Sequence, residues 1–314
     1  MTTNLATAVA CPPVTLFSGV SPFLLTEGRA YRQWRETKLA GSLLVPEHLM
    51  VPVGDPGRLT EAERMALVER VSRCNMVFYR CTDGGRTMDR GMVRRFAAAL
   101  GLVRLDNNLC AEEDGVSELR VSPGGRQAEY IPYTDRALSW HCDGYYNPPE
   151  RRIRAMLLHC VSDAPEGGDN AYMDHELLYI RLRDQNPEWI EALSHPQAFT
   201  IPPNVVNGET LRAAQSGPVF SVDPASGRLH MRYTARLRNI RWREDGPTRA
   251  AAARIRELLG GDDNPDILRY RLRPGEGVVC NNVLHARTGF TDDVGGGHQR
   301  LIYRARYLDR IAGT

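Results

Sequence analysis

Lysine is almost missing from this chain. Lys38 is the only one, so arginine makes up 39 of the 40 basic residues. The codon bias of a GC-rich genome explains that preference more economically than a bulk role for arginine. An excess of one charge is also lacking: 40 basic residues stand against 38 acidic ones, a formal net charge of +2. Nucleic acid and anionic membrane surfaces are therefore not expected partners. No uncharged run approaches the roughly 18 residues of a membrane span. The segment from Met1 to Pro13 has no Lys or Arg ahead of its weakly apolar stretch, as a signal peptide would require. Cys-x-x-Cys pairs are absent too. The seven cysteines (Cys11, Cys74, Cys81, Cys110, Cys142, Cys160 and Cys280) are an odd set that reads as reduced thiols, not a disulfide frame. A cytoplasmic protein is the expectation, and nothing in the composition speaks against a homo-oligomer.

The 314 residues include 42% apolar and 25% charged ones, an ordinary globular balance, and no linker or repeat divides them. One domain over 1–314 is expected, with a helical N-terminal embellishment at about 20–105. A β-rich core follows at about 106–310, carrying a helical insertion at about 175–262. Tyr31, Trp34 and Thr37 or Lys38 recur at helical spacing within Leu24 to Leu39, which predicts a helix lying on the core. Thr60-x-x-Glu63 is a capping box that opens a second helix ending near Cys74, and a third runs from Thr87 to Leu100 before Gly101. Met76 to Arg80 reads as a strand between them. From Ala137 the chain turns to short strands: Leu138 to Cys142, Ile153 to Cys160, Asn170 to Met173, Arg228 to Tyr233, Leu268 to Leu272, Val278 to Cys280 and Leu301 to Tyr307. Two helices interrupt them, Glu188 to Leu193 and Pro247 to Leu259. The expected class is α+β, mainly β, with a double-stranded β-helix (jelly roll) core and flanking helices.

The residues that carry chemistry are few. His141 and Asp143 sit two apart at a strand end, so both project to one side while Cys142 points to the other. His285 lies far downstream in Asn282-Val283-Leu284-His285-Ala286-Arg287-Thr288-Gly289-Phe290, after the turn Arg273-Pro274-Gly275-Glu276-Gly277. Two imidazoles and one carboxylate are the ligand set of facial-triad iron sites. The same set can hold a hydrolytic zinc. His159, His175 and His230 read instead as satisfied polar residues.

The order of these elements is what gives them weight. Trp140-His141 at a strand end is followed by Pro165-Glu166-Gly167-Gly168-Asp169-Asn170, then His285, then Arg300 and Arg304. In this the chain resembles the taurine dioxygenase and clavaminate synthase-like superfamily of Fe(II)/2-oxoglutarate oxygenases, over roughly Phe78 to Leu308. The resemblance implies that His141, Asp143 and His285 ligate Fe(II), and that Arg300 grips the distal carboxylate of 2-oxoglutarate through its planar guanidinium. Strand parity then lets Arg304 face the same interior near the 1-carboxylate, and Arg306, of the same parity, competes for either role. Asn170 stands where relatives commonly carry a threonine that helps hold the distal carboxylate. Asn282 and Arg287 are read as groups that fix the His285 ring and its turn. The carboxylate of Asp143 argues against the family's halogenases, which place a small residue there.

The implied activity is hydroxylation of an unactivated C–H bond in a small amino-acid-like or carboxylate metabolite, using O2 and releasing succinate and CO2. Alternatives are a desaturase or cyclase using the same oxidant, a zinc hydrolase on the same triad, or a non-catalytic jelly-roll binding protein. Arg300 and Arg304 speak against the hydrolase, which needs no keto-acid clamp, and the complete triad speaks against the binding protein. Tyr145 and Tyr146, directly after the triplet, are candidate substrate contacts. A run of Arg228, Arg232, Arg236, Arg238, Arg241 and Arg243 raises an anionic substrate against the plainer reading of a solvated strand.

Overall fold

The computed structural model describes every residue except 1–20, 43–44, 83–87, 107–113, 123, 125–129, 207, 225, 237–239 and 262. Cys11, Cys110, Arg238, the Met1 to Pro13 segment and the expected helix start at Thr87 lie outside the described residues. No helix among those described is long and apolar enough to cross a membrane.

Two sheets pack face to face. The larger has six strands in the order Met50–Val53, Met76–Cys81, Glu276–Cys280, Ala155–Ser162, Leu301–Tyr307 and Ser117–Leu119. The smaller has four, in the order Ile267–Tyr270, Asn170–Met173, Leu284–Arg287 and Leu138–His141. Alternation along each strand divides the side chains between layers. Met76 and Phe78 point inward with Leu158, Cys160, Val278 and Ile302 to meet Tyr172 and Leu268 of the smaller sheet. Val77 and Tyr79 point outward onto Leu67 and Val71 of the helix Glu61–Cys74, and onto Val93 and Phe96 of the helix Arg90–Ala99. The outer face of the smaller sheet, with Met173, Ile267 and Leu284, is covered by the helices Gly28–Gly41, His175–Gln185, Pro187–Ser194 and Gly246–Gly260. Helices therefore cover both outer faces, and the space between the sheets holds the site.

Local chemistry accounts for most of the element ends. The capping box forms as expected: the Thr60 hydroxyl accepts from Glu63 N while the Glu63 carboxylate accepts from Thr60 N. Asp89 caps the next helix by accepting from Met92 N, and Gly101 follows that helix at φ +82°. Tyr31 and Trp34 pack against Phe23 and Tyr179, so this first helix belongs to the core.

The structure differs from expectation in three places. Met50–Val53 pairs in parallel with Met76–Cys81, so the N-terminal segment contributes two strands to the larger sheet as well as helices. A helix occupies His175–Gln185, where Leu177, Leu178, Tyr179, Ile180 and Leu182 are all buried. His175, Glu176 and Arg183 are buried with them, so polar and apolar residues do not separate into an amphipathic stripe that would betray the helix in the sequence. Beyond it, a separate hairpin of Asn204–Val206 and Glu209–Arg212 stands at the mouth of the site.

Candidate metal centre and substrate cavity

His141 is the last residue of its strand and lies opposite His285 on the neighbouring strand, while His285 lies opposite Tyr172 on the next. Directly opposed residues on neighbouring strands share a face, so all three point between the sheets. Asp143 is not on the strand as the sequence suggested. The strand stops at His141, and Asp143 stands in the turn beyond, where Gly144 has a φ of +66° and a Cβ would collide with Ile153. Cys142 still points away, into the core beneath the helices.

What fixes Asp143 is Asn282. Its amide oxygen accepts from Asp143 N at 2.8 Å, and its nitrogen donates to Asp143 O at 3.0 Å and Ile153 O at 2.9 Å. Asn282 sits at φ +52°, a left-handed conformation that asparagine tolerates better than most residues. The turn before one histidine thus clamps the turn after the other. Arg287, read from sequence as a fixing group for His285, donates instead to the carbonyls of Thr134 and Arg136.

The two imidazole centroids are 4.1 Å apart, and His141 Nε2 lies 3.9 Å from Asp143 Oδ1. One donor atom from each of His141, Asp143 and His285 lies within 4.8 Å of the others, and all three residues are buried. His141 Nδ1 is 2.9 Å from Ser139 O, and His285 Nδ1 is 3.1 Å from Val283 O. A ring N–H facing a carbonyl donates, which leaves each Nε2 lone pair free for a cation. Burial and the neighbouring His285 push the His141 pKa down to about 3, and burial also lowers that of His285. Burial alone would raise the Asp143 carboxyl, but Arg304 and Arg306 outweigh it and hold the group well below the usual carboxylate range. Arg304 Nη1 is 3.6 Å and Arg306 Nη1 is 3.8 Å from Asp143 Oδ1, while the buried Oδ2 has no hydrogen-bond partner. Two neutral imidazoles and an ionised carboxylate with an unpartnered oxygen suit a divalent cation of Fe(II) type.

The arginines divide. Arg306 is tied down, with Nη2 2.5 Å from Asp106 Oδ2 and Nη1 donating to the Tyr146 hydroxyl at 3.0 Å. Among the described residues, Arg304 has no such hydrogen bonds; its Nη1 faces Asp143 and its buried Nε, like that of Arg306, lacks a partner. Arg300, just ahead of its strand, does not line the cavity. It lies between the sheets with its guanidinium 5.1 Å from the Phe290 ring centroid and a buried Nη1 unpartnered. Burial lowers its pKa, and the Tyr172 phenol lies within electrostatic reach. The Tyr172 hydroxyl is buried and unpartnered as well. Asn170, buried and opposite Arg287, is on the same strand and of the same parity as Tyr172. Sequence reasoning missed Tyr172, although the i, i+2 rule applied from Asn170 points to it.

A cavity of about 760 Å³ opens over His141 and Asp143. Tyr145 and Tyr146 line it in a T-shaped pair 5.1 Å apart, with Tyr145 6.4 Å from the His141 ring. Ile131, Pro132 and Leu138 form an apolar wall, and Ile201, Pro202 and Leu211 of the hairpin region another. Two of the other histidines make hydrogen bonds away from the triad, although the buried His175 Nδ1 has no partner. His159 accepts from Met88 N and meets the Tyr79 hydroxyl at 3.2 Å, and His175 Nε2 faces Leu229 O.

Comparisons with known proteins place the chain in a family. The model of the family "Taurine catabolism dioxygenase TauD, TfdA family" matches residues 47–306. A uridine-5'-phosphate dioxygenase of Amycolatopsis sp. is 30% identical over 200 residues, covering 62% of this chain and 68% of that protein. Among solved structures, an asparagine oxygenase in complex with Fe(II), 3-hydroxyasparagine and succinate superposes with a TM-score of 0.56. It is 16% identical, and the match covers 79% of each chain. A taurine dioxygenase from Burkholderia xenovorans gives 0.54 at 18% identity, covering 83% of this chain and 86% of that one. The chain belongs to the taurine catabolism dioxygenase TauD, TfdA family and is a non-haem iron, 2-oxoglutarate-dependent dioxygenase.

Proposed function

We propose that His141, Asp143 and His285 hold Fe(II), and that this dioxygenase hydroxylates a small anionic metabolite bound in the cavity above them. In this reading the two packed sheets are a jelly roll with the iron between them. The observation that carries the assignment is two groups of buried polar atoms without partners: Asp143 Oδ2 with Arg304 Nε beside the triad, and Arg300 Nη1 with the Tyr172 hydroxyl between the sheets. Buried polar groups are nearly always paired in folded proteins, so four such atoms mark places where ligands complete the hydrogen bonding. Arg300 would grip the distal carboxylate of 2-oxoglutarate, with Asn170 and Tyr172 as neutral donors beside it. Arg304 would face the 1-carboxylate, because Arg306 is already engaged with Asp106 and Tyr146.

With O2, bound iron and 2-oxoglutarate supply an oxidant for a C–H bond and release succinate and CO2. The protein's own residues do the rest. Arg304 and Arg306 keep Asp143 ionised, Asn282 fixes the turn that presents it, and the Ser139 and Val283 carbonyls orient the two imidazoles. The apolar walls limit water at the reacting position. As for substrate, the name of the Amycolatopsis relative supports a phosphorylated nucleoside, alongside the amino-acid-like or carboxylate class expected from sequence. Arg300→Ala tests the cosubstrate assignment. The Kd for 2-oxoglutarate should rise at least tenfold while Fe(II) affinity changes little. An unchanged Kd would remove Arg300 from the role.

A further inference from the structure

Five arginines line the cavity, against two carboxylates. Three of the five are engaged with those carboxylates: Arg306 and Arg151 both meet Asp106, at 2.5 and 2.6 Å, and Arg304 and Arg306 flank Asp143. Arg212 and Arg236 are different. Among the described residues neither has an acidic partner, yet both are half-buried and face the same space. Arg212 comes from the hairpin strand Glu209–Arg212. Its Nη2 donates to Pro202 O at 2.8 Å and its Nη1 to Ala213 O at 3.1 Å, and its guanidinium lies 5.9 Å from the Tyr146 ring centroid. Two carbonyls position the group without neutralising it, and they leave other N–H donors free. Arg236 lies two residues beyond Thr234, which bridges to His141, so it belongs to the strand edge that carries the metal ligand.

Among the described residues, the rest of the arginine run does not line this cavity. Arg232 donates to the carbonyls of Tyr145, Phe199 and Gln215 and stacks on Phe199, while Arg243 pairs with Asp245. Among the described residues, the anion signal in the sequence therefore reduces to Arg236, joined by Arg212 from outside the run.

We propose that Arg212 and Arg236 are the specificity-determining residues that grip a dianionic phosphate monoester on the substrate, at the cavity wall formed by the hairpin and the strand edge beside His141. This rests on the reading of the site given above. A divalent cation and a dianionic cosubstrate cancel each other's charge, so filling the metal centre leaves these two positive charges uncompensated. A phosphate monoester carries close to two negative charges at neutral pH and offers three acceptor oxygens, and guanidinium forks match it bidentately. A monocarboxylate would leave one arginine half-buried and unpaired, a costly arrangement. Burial already depresses the Arg212 pKa, as it does for a cation that lacks a counter-charge. The phosphate arm would be held here, with the apolar walls and the tyrosine pair receiving the remainder of the substrate.

The test uses full-length protein held anaerobically with Fe(II) and 2-oxoglutarate, titrated calorimetrically with uridine 5'-phosphate, uridine and inorganic phosphate. The nucleotide should bind at least tenfold tighter than uridine, and inorganic phosphate should compete with it. Arg212→Ala and Arg236→Ala should each weaken nucleotide binding tenfold or more and leave uridine unchanged, while Arg243→Ala behaves as wild type. Equal binding of nucleotide and uridine, no binding of nucleotide or phosphate, or arginine variants that bind the nucleotide as wild type does would each overturn the proposal. The visible charge-transfer band of the Fe(II)–2-oxoglutarate complex keeps the two readings apart. A wild type without it fails at the metal centre, and a variant that keeps it is folded with its cosubstrate bound.

Discussion

Asn282 shows how much one residue can do near a metal centre. Its left-handed backbone and three side-chain hydrogen bonds join the turn before His285 to the turn that presents Asp143. Asn282→Ala removes all three bonds and strains the backbone, so unfolding should become easier by about 3 kcal/mol and Fe(II) affinity should fall. An unchanged urea midpoint together with unchanged Fe(II) binding would contradict that role. His159 has a different signature. Burial pushes its pKa down to about 4 from an ordinary 6.5, so the unfolded chain binds its proton first as pH falls. Its contribution is fully present above pH 6.5 and is lost as pH drops toward 4, by up to about 1.4 kcal/mol per pH unit. Urea titrations of metal-free wild type and His159→Gln should diverge in slope over that window, and parallel profiles would refute the linkage. The sequence singles out His141, Asp143 and His285 because their chemistry restricts residue type, and the structure brings the three together. Tyr172 and Arg212 escaped because an unpartnered hydroxyl, or a guanidinium bonded to carbonyls but lacking an acidic partner, is a property of register and neighbours, which one sequence does not display.

Elements with a local signal were read closely. The Thr60 capping box and the strands Asn170–Met173 and Leu301–Tyr307 all depend on spacing alone. Thr60→Ala should lower stability by about 1 kcal/mol and leave 2-oxoglutarate binding untouched, since the cap lies far from the cavity. Loss of cosubstrate affinity in that variant would show coupling that the fold does not predict. Elements defined by tertiary contact were not legible. The helix His175–Gln185 is buried on nearly every side, and the hairpin ending at Arg212 is held by the cavity mouth instead of by an alternating pattern. Asp143 was placed on the correct side of the sheet by strand parity, but the strand ends two residues earlier and Asn282 makes up the difference.

At the scale of the whole molecule, the only lysine in the sequence joins the first helix to the rest. Lys38 Nζ lies 2.5 Å from Asp174 Oδ2 and 2.6 Å from Glu176 Oε2, all three nearly inaccessible to solvent. Burial would lower the Lys38 pKa, but the two carboxylates outweigh it and raise it. Lys38→Met strands two buried carboxylates and should cost about 3–5 kcal/mol, read as a lower urea midpoint at neutral pH. The layered arrangement of helices, two sheets and helices then serves one end: a buried triad beneath a cavity with arginines at separate stations. The central claim is that His141, Asp143 and His285 form an iron site that takes 2-oxoglutarate. Anaerobic titration of the protein with Fe(II) and 2-oxoglutarate tests it most directly. A visible metal-to-ligand charge-transfer band should appear in wild type and be lost in His141→Ala. A well-folded wild type without the band, or a band that persists in His141→Ala, would contradict the account.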